Sequence, residues 1–165
     1  DMERAIGSRC LSLILRQQPV ASDLRQVSTA LKVVTDLERI GDHASDIAEL
    51  ILRIKSEHAY HIVKHLPVMA ASANAMGHDA IEAFINQDLD SAMEIIERDD
   101  EVDTLFNQVK DDVIHLLKSS PDQADQGIDL LMVAKYLERI GDHAVNVCEW
   151  TQFSKTGALK NVRIM

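Results

Sequence analysis

Six carboxylates in this chain have the residue types and spacing to bind a cation. The octapeptide LERIGDHA occupies residues 37–44 and returns unchanged at residues 137–144. In each copy a glutamate precedes an aspartate by four residues, Glu38 with Asp42 and Glu138 with Asp142. Residues four apart share a helix face, so each pair sets like charges side by side. A cation between them would relieve that repulsion and take their oxygens as ligands. Asp99 and Asp103 have the same spacing. Oxygen-only donors suit hard ions such as Mg, Ca, Mn or Fe, and zinc accepts carboxylates or a histidine. The expected cofactor is therefore a divalent or trivalent metal ion such as Fe, Zn, Mn or Mg, with Glu38, Asp42, Asp99, Asp103, Glu138 and Asp142 as ligands.

The elements that must carry these acids are helices. Met2, Ile6, Cys10, Leu13 and Leu15 recur at roughly helical spacing, and Pro19 ends the run. A second helix starts at Ser22 or Asp23 and keeps an apolar seam through Val33, Leu37, Ile40, Ile47 and Ile54. It should reach at least Arg53, with no breaker before Pro67. A third should begin near Pro67 and end at the interruption from Asn86 to Asp90. A fourth should run from about Asp90 to Leu117 and stop at Ser119, Ser120 and Pro121. The fifth repeats the second at an offset of 100 residues through Leu130, Val133, Leu137, Ile140, Ala144 and Val147. Residues 151–165 read as a fraying tail.

The expected fold is all-α, a tandem of antiparallel helix bundles. Residues 1–66 form an incomplete first repeat of two helices, and residues 67–165 form a three-helix second repeat. Duplication predicts one more helix before Asp1. Without it, the first repeat's apolar seam should be covered by self-association, most simply as a homodimer.

Hairpin geometry then sets the acids in register. At about 100° per residue from Leu37, Glu38 lies about 100° round the helix and Asp42 about 140°, so both flank the apolar seam. The fourth and fifth helices turn around Ser120 and Pro121, which puts Asp103 level with Glu138 and Asp99 level with Asp142. Four acids should thus meet on the outside of one hairpin, a cluster that favours a multivalent cation or shifted protonation. In the first half the same arithmetic places the partners of Glu38 and Asp42 at or just before Asp1 and Glu3, leaving that cluster incomplete.

Composition narrows the function classes. The 165 residues are 46% hydrophobic and only 4% aromatic, with three prolines and six glycines, which allows a sizeable helical core. A net charge of −10 argues against non-specific nucleic-acid binding and against direct contact with anionic membranes. Two cysteines, Cys10 and Cys148, fit a reduced cytoplasmic setting. No apolar run is long enough to span a bilayer, and the first residues do not resemble a signal peptide. There is no phosphate-binding glycine loop, nucleophile elbow or Cys/His triad, so the expectation is a non-enzyme.

Other residues have simpler readings. Gly41 and Gly141, each costly inside a helix, imply close packing by a neighbour. Arg39 and Arg139 should form surface ion pairs. His43 and His143 fall away from the acidic row. His58, His61 and His65 share a face, more a polar helix end than a metal site. Met69, Met76, Met93 and Met132 read as core, and Trp150 as the cap of the seam or part of a subunit contact.

The tandem LERIGDHA, with QQPVASDLR (Gln17 to Arg25) before the first copy and DDEVD (Asp99 to Asp103) before the second, resembles the PhoU family over nearly the whole chain. The resemblance implies two similar three-helix bundles and a role in regulating phosphate uptake and phosphate-responsive signalling. It also implies multinuclear metal clusters at E(D)xxxD motifs, carried here by Glu38, Asp42, Asp99, Asp103, Glu138 and Asp142. The implied partners are the phosphate ABC transporter and its sensor kinase, through which any membrane association would be indirect. The chain departs from the family at its front, where the first helix and an acidic segment are expected. Two alternatives are a PhoU-like domain of a larger sodium/phosphate transporter and a carboxylate-bridged di-metal oxidase. The oxidase needs Glu-x-x-His elements aimed into the core, and the residues three after Glu38 and Glu138 are Gly41 and Gly141.

Overall fold

The computed structural model describes residues 1–54, 61–159 and 162–163. Among the described residues six α-helices carry the fold: α1 (Met2–Gln17), α2 (Ser22–Arg53), α3 (Leu66–Asn86), α4 (Leu89–Glu97), α5 (Asp99–Ser119) and α6 (Ala124–Thr156). A 3₁₀ turn, Pro121–Gln123, joins α5 to α6, and a short antiparallel pair, Ala158–Leu159 with Val162–Arg163, follows α6.

The helix ends follow local chemistry. α1 stops where Gln18 turns left-handed at φ 47° and Pro19 follows, since proline has no N–H with which to continue the ladder. Pro67 sits in the first turn of α3, where a missing N–H costs nothing. Asp88 caps α4: its Oδ1 accepts from the backbone N–H groups of Asp90 and Ser91 at 3.1 Å, and its Oδ2 accepts from the Ser91 hydroxyl at 2.8 Å. The Ser91 hydroxyl and then its N–H hold the Asp88 carboxyl below its ordinary value. Gly157, at φ 74°, closes α6.

Two sequence expectations change. The single helix expected from Asp90 to Leu117 is two, α4 and α5, meeting at Arg98. No glycine or proline marks this junction. The Arg98 guanidinium donates to Asp79 of α3 at 2.6 Å, tying the junction to its neighbour. The expected fraying tail is also helical as far as Thr156. Thr151, Phe153 and Ser154 are buried, and the Thr151 hydroxyl donates to the Val147 carbonyl at 2.8 Å, so a stretch of modest hydrophobicity packs with its polar atoms satisfied.

α6 is the axis of the molecule, in contact with α2, α3, α4 and α5. Surrounded on several sides, it buries small residues such as Ala134, Gly141, Ala144 and Cys148 beside Leu130, Val133, Leu137 and Val147. Met69, Ala73, Met76 and Ala80 of α3 fill the space against it. The close-packed core is centred in this second half, whereas α1 contributes no buried residue and exposes Leu11, Leu13 and Leu15. Of the methionines expected in the core, Met69 and Met76 are fully buried. Met93 and Met132 are 54% and 39% exposed, because their steps along the helix carry them off the seam.

α2 lies antiparallel along α6, an arrangement that helical periodicity does not specify. Arg25 Nε donates to the Ser154 carbonyl at 3.4 Å near one end, and Arg53 pairs with Asp129 at 3.3 Å near the other. Between them Lys32 stands 5.8 Å over the Trp150 ring. Trp150 therefore joins α6 to α2 within the chain. This register brings the two LERIGDHA segments side by side.

Candidate metal centre

The α5/α6 hairpin puts Asp99 within one residue of the level read from its turn. Asp99 abuts Gly141: a Cβ added there would lie 3.3 Å from Asp99 Oδ1 and 3.6 Å from Val102 Cγ1. The close approach expected at Gly141 is thus a carboxylate laid against the helix backbone. Val102, Leu105, Leu137 and Ile140 turn inward, leaving Glu138 and Asp142 on the outer side of the seam and Asp103 exposed on the facing helix.

These four acids form one electrostatic neighbourhood. Partial burial, then the charges of Asp103, Asp142, Asp100 and Glu138, push the Asp99 carboxyl up to about 6. Burial and then Glu138 also raise Asp142, opposed by the ammonium of Lys135. Lys135 pairs with Glu138 and lies 5.4 Å over the Phe106 ring of α5. Among the described residues no group of three His, Cys, Asp or Glu side chains stands in a metal-holding arrangement. The acids share a field without a preformed coordination sphere. As a donor set they fit a hard cation: only carboxylate oxygens, at the surface where side chains can turn, with an electrostatic penalty that a cation would remove.

The first copy is organised differently. Glu38 and Asp42 are exposed on α2, and a Cβ on Gly41 would meet nothing within 4 Å. The nearest heavy atom to a Cβ on Gly7 of α1 is Leu31 Cδ2, at 4.0 Å, so the described part of α1 lies against the stretch of α2 before Glu38. The close packing expected at Gly41 is therefore absent among the described residues. Among the described residues neither Arg39 nor Arg139 forms an ion pair, where surface ion pairs were expected.

His43 and His143, on the opposite side from the acids, occupy the seam between the repeats. Their rings stack at 5.7 Å, with Tyr136 5.4 Å from His43. Asp36 accepts from His143 Nδ1 at 2.8 Å and from Asn146 Nδ2 at 3.1 Å. His43 Nδ1 is buried without a hydrogen bond, since Asp46 lies 3.7 Å away. Burial and the neighbouring His143 hold His43 below its ordinary value, with Asp46 pulling the other way and Arg139 adding to the depression. The sequence reading missed this group. The signal was present in the replacement of Asp36 by Tyr136 and Asp46 by Asn146 between otherwise matched segments, which marks where the two copies have different neighbours. His65 pairs with Asp112 at 2.7 Å, His61 is also engaged, and His58 lies outside the described residues.

Fold and site together define a class: a helical-bundle protein with two copies of one motif and an acid cluster on the outside of its α5/α6 hairpin. The family model of the PhoU domain matches residues 1–51 and 66–151. A phosphate-specific transport system accessory protein PhoU homolog from Clostridium acetobutylicum is 42% identical over 158 residues, covering 95% of this chain and 72% of that protein. A homolog of the same description from Thermotoga maritima is 32% identical and covers 99% of this chain and 70% of its own length. The crystal structure of PhoU from Pseudomonas aeruginosa superposes with a TM-score of 0.86 at 32% identity, covering 95% of this chain and 76% of that one. The chain belongs to the PhoU family.

Proposed function

We propose that this chain is a non-enzymatic regulator of phosphate uptake and phosphate-responsive signalling that acts as an accessory to a phosphate transport system. The relatives named as accessory proteins of phosphate-specific transport support this reading. So does the kind of site: acids on a helical surface, outside the core, suit binding and regulation. The partners are the phosphate ABC transporter and its sensor kinase, met from the cytoplasm, with membrane association only through them. No described helix is long and apolar enough to cross a membrane. Residues 1–66 and 67–165 act as two repeats, and the exposed apolar side chains of α1 favour a homodimer.

The observation that carries the metal reading is the convergence of Asp99 and Asp103 from α5 with Glu138 and Asp142 from α6. Asp99, laid against Gly141, is positioned by the backbone of the facing helix, and Glu138 and Asp142 by their seam neighbours Leu137 and Ile140. A bound Fe, Zn, Mn or Mg ion would be held by these carboxylates and would supply the positive charge that offsets their repulsion. Glu38 and Asp42 provide the corresponding motif of the first repeat.

The test joins metal content to phosphate physiology. Glu138→Gln combined with Asp142→Asn should lower the metal bound by purified protein while leaving its helicity intact. In cells of the source organism lacking the gene, wild type should restore regulated phosphate uptake. Unchanged metal content in the double variant would overturn the site, and phosphate uptake indifferent to the gene would overturn the function.

A further inference from the structure

We propose that Lys135 is the resident counter-ion of Glu138 and Asp142 and competes with external cations for the cluster that these two acids form with Asp99 and Asp103. This rests on the metal reading above and adds what sets the affinity of that site. Lys135, Glu138 and Asp142 follow one another at steps of three and four along α6, so they occupy one face. The Lys135 ammonium is paired with Glu138 and stands 5.4 Å over the Phe106 ring, engaged by α6 and α5 together. It also opposes the upward push on the Asp142 carboxyl, so its charge is felt at a second acid.

Two consequences follow from this geometry. The Glu138 oxygen turned to the ammonium is withheld from any other cation until Lys135 moves away. Lys135 is 39% exposed, so its head group has an open path to water. The first repeat lacks this device. Thr35 stands at the matching position, and its hydroxyl donates to the Leu31 carbonyl at 3.1 Å. The two motif copies therefore differ in the charge built in beside them as well as in their neighbours.

The experiment titrates the full chain with Mn²⁺ alone by calorimetry at low ionic strength and follows thermal unfolding with and without the ion. Lys135→Met keeps the apolar stem over Phe106 and removes the charge, whereas Lys135→Arg keeps the charge. Lys135→Met should bind Mn²⁺ about tenfold more tightly, as expected for removing a unit charge about 6 Å from a divalent ion in water-like screening. Lys135→Arg should bind like wild type. With chelator present, Lys135→Met should melt below wild type, because Glu138 and Asp142 then lack their counter-ion. With Mn²⁺ it should show the larger gain in Tm, a crossover that a purely packing role would not produce. If Lys135→Met binds no more tightly than wild type, while Glu138→Gln with Asp142→Asn abolishes binding, the counter-ion role is wrong and the metal site stands. If no protein binds more Mn²⁺ than that double variant, both the site and the role of Lys135 fall.

Discussion

Asp99 offers a quantitative test of whether the acids on α5 and α6 truly share a field. Its carboxyl, ordinarily near 3.8, is raised to about 6 by partial burial and by Asp103, Asp142, Asp100 and Glu138. A raised carboxyl favours the protonated form in the folded state, so the charged form weakens the fold. The penalty is absent well below 3.8, where folded and unfolded chains are both protonated. It grows through pH 4 to 6 and is fully present above 6. Wholly expressed, such a shift would be worth about 3 kcal/mol. Asp99 is partly open to water, and screening leaves about 1 kcal/mol. Asp99→Asn keeps the shape and removes the charge. In chelator at pH 7.5 it should stabilise the protein by about 1 kcal/mol, a rise of about 2–4 °C in Tm for a domain of this size. At pH 4 the gain should fall to less than half, on its way to zero below the ordinary carboxylate value. Urea unfolding at the two pH values, with Asp103→Asn as a second removal of charge, measures it. A destabilised Asp99→Asn at pH 7.5, or an equal gain at pH 4, would refute the electrostatic account and assign the effect to packing.

The paired glycines make a matched comparison. Gly41→Ala should stabilise by up to about 1 kcal/mol, since its Cβ enters open space. Gly141→Ala should gain less or lose stability, because its Cβ presses on Asp99 at 3.3 Å; equal effects in urea unfolding would contradict the packing described. Asp36→Ala should cost about 1–3 kcal/mol by leaving His143 and Asn146 without their shared acceptor in a half-buried seam, and calorimetry that registers no loss would dissociate that seam from stability. Cys148, fully buried and pushed up to about 12, should resist a thiol reagent at pH 8 in native protein and react only on unfolding; rapid native labelling at Cys148 by mass spectrometry would be the contrary result.

Much of the molecule was legible from sequence because helices announce themselves locally. The apolar period of α2 and α6, the prolines at residues 19, 67 and 121 and the interruption around Asn86 to Asp90 mark the helices to within a few residues. The level pairing of Asp99 with the 141–142 turn needed only one further fact, a short connection at Ser120 and Pro121, since antiparallel neighbours joined by a tight turn have little freedom to slip. The junction at Arg98 was not legible, because no residue there forbids a continuous helix and its tie to Asp79 comes from another part of the chain. The same holds for residues 151–156, whose Thr, Gln and Ser carry little apolar signal until α6 is placed among its neighbours.

The sequence by itself determined that the acids would sit in pairs beside an apolar seam, because spacing along a helix translates directly into position on its face. Only the tertiary structure decided which seams meet. Antiparallel packing of α2 on α6 joins residues about a hundred apart in the chain, beyond the reach of any local period. It turned His43, His143 and Asp36 into an interface between α2 and α6. The packing of α5 on α6 laid Asp99 on Gly141 in one copy, while the matching face of Gly41 was left open in the other.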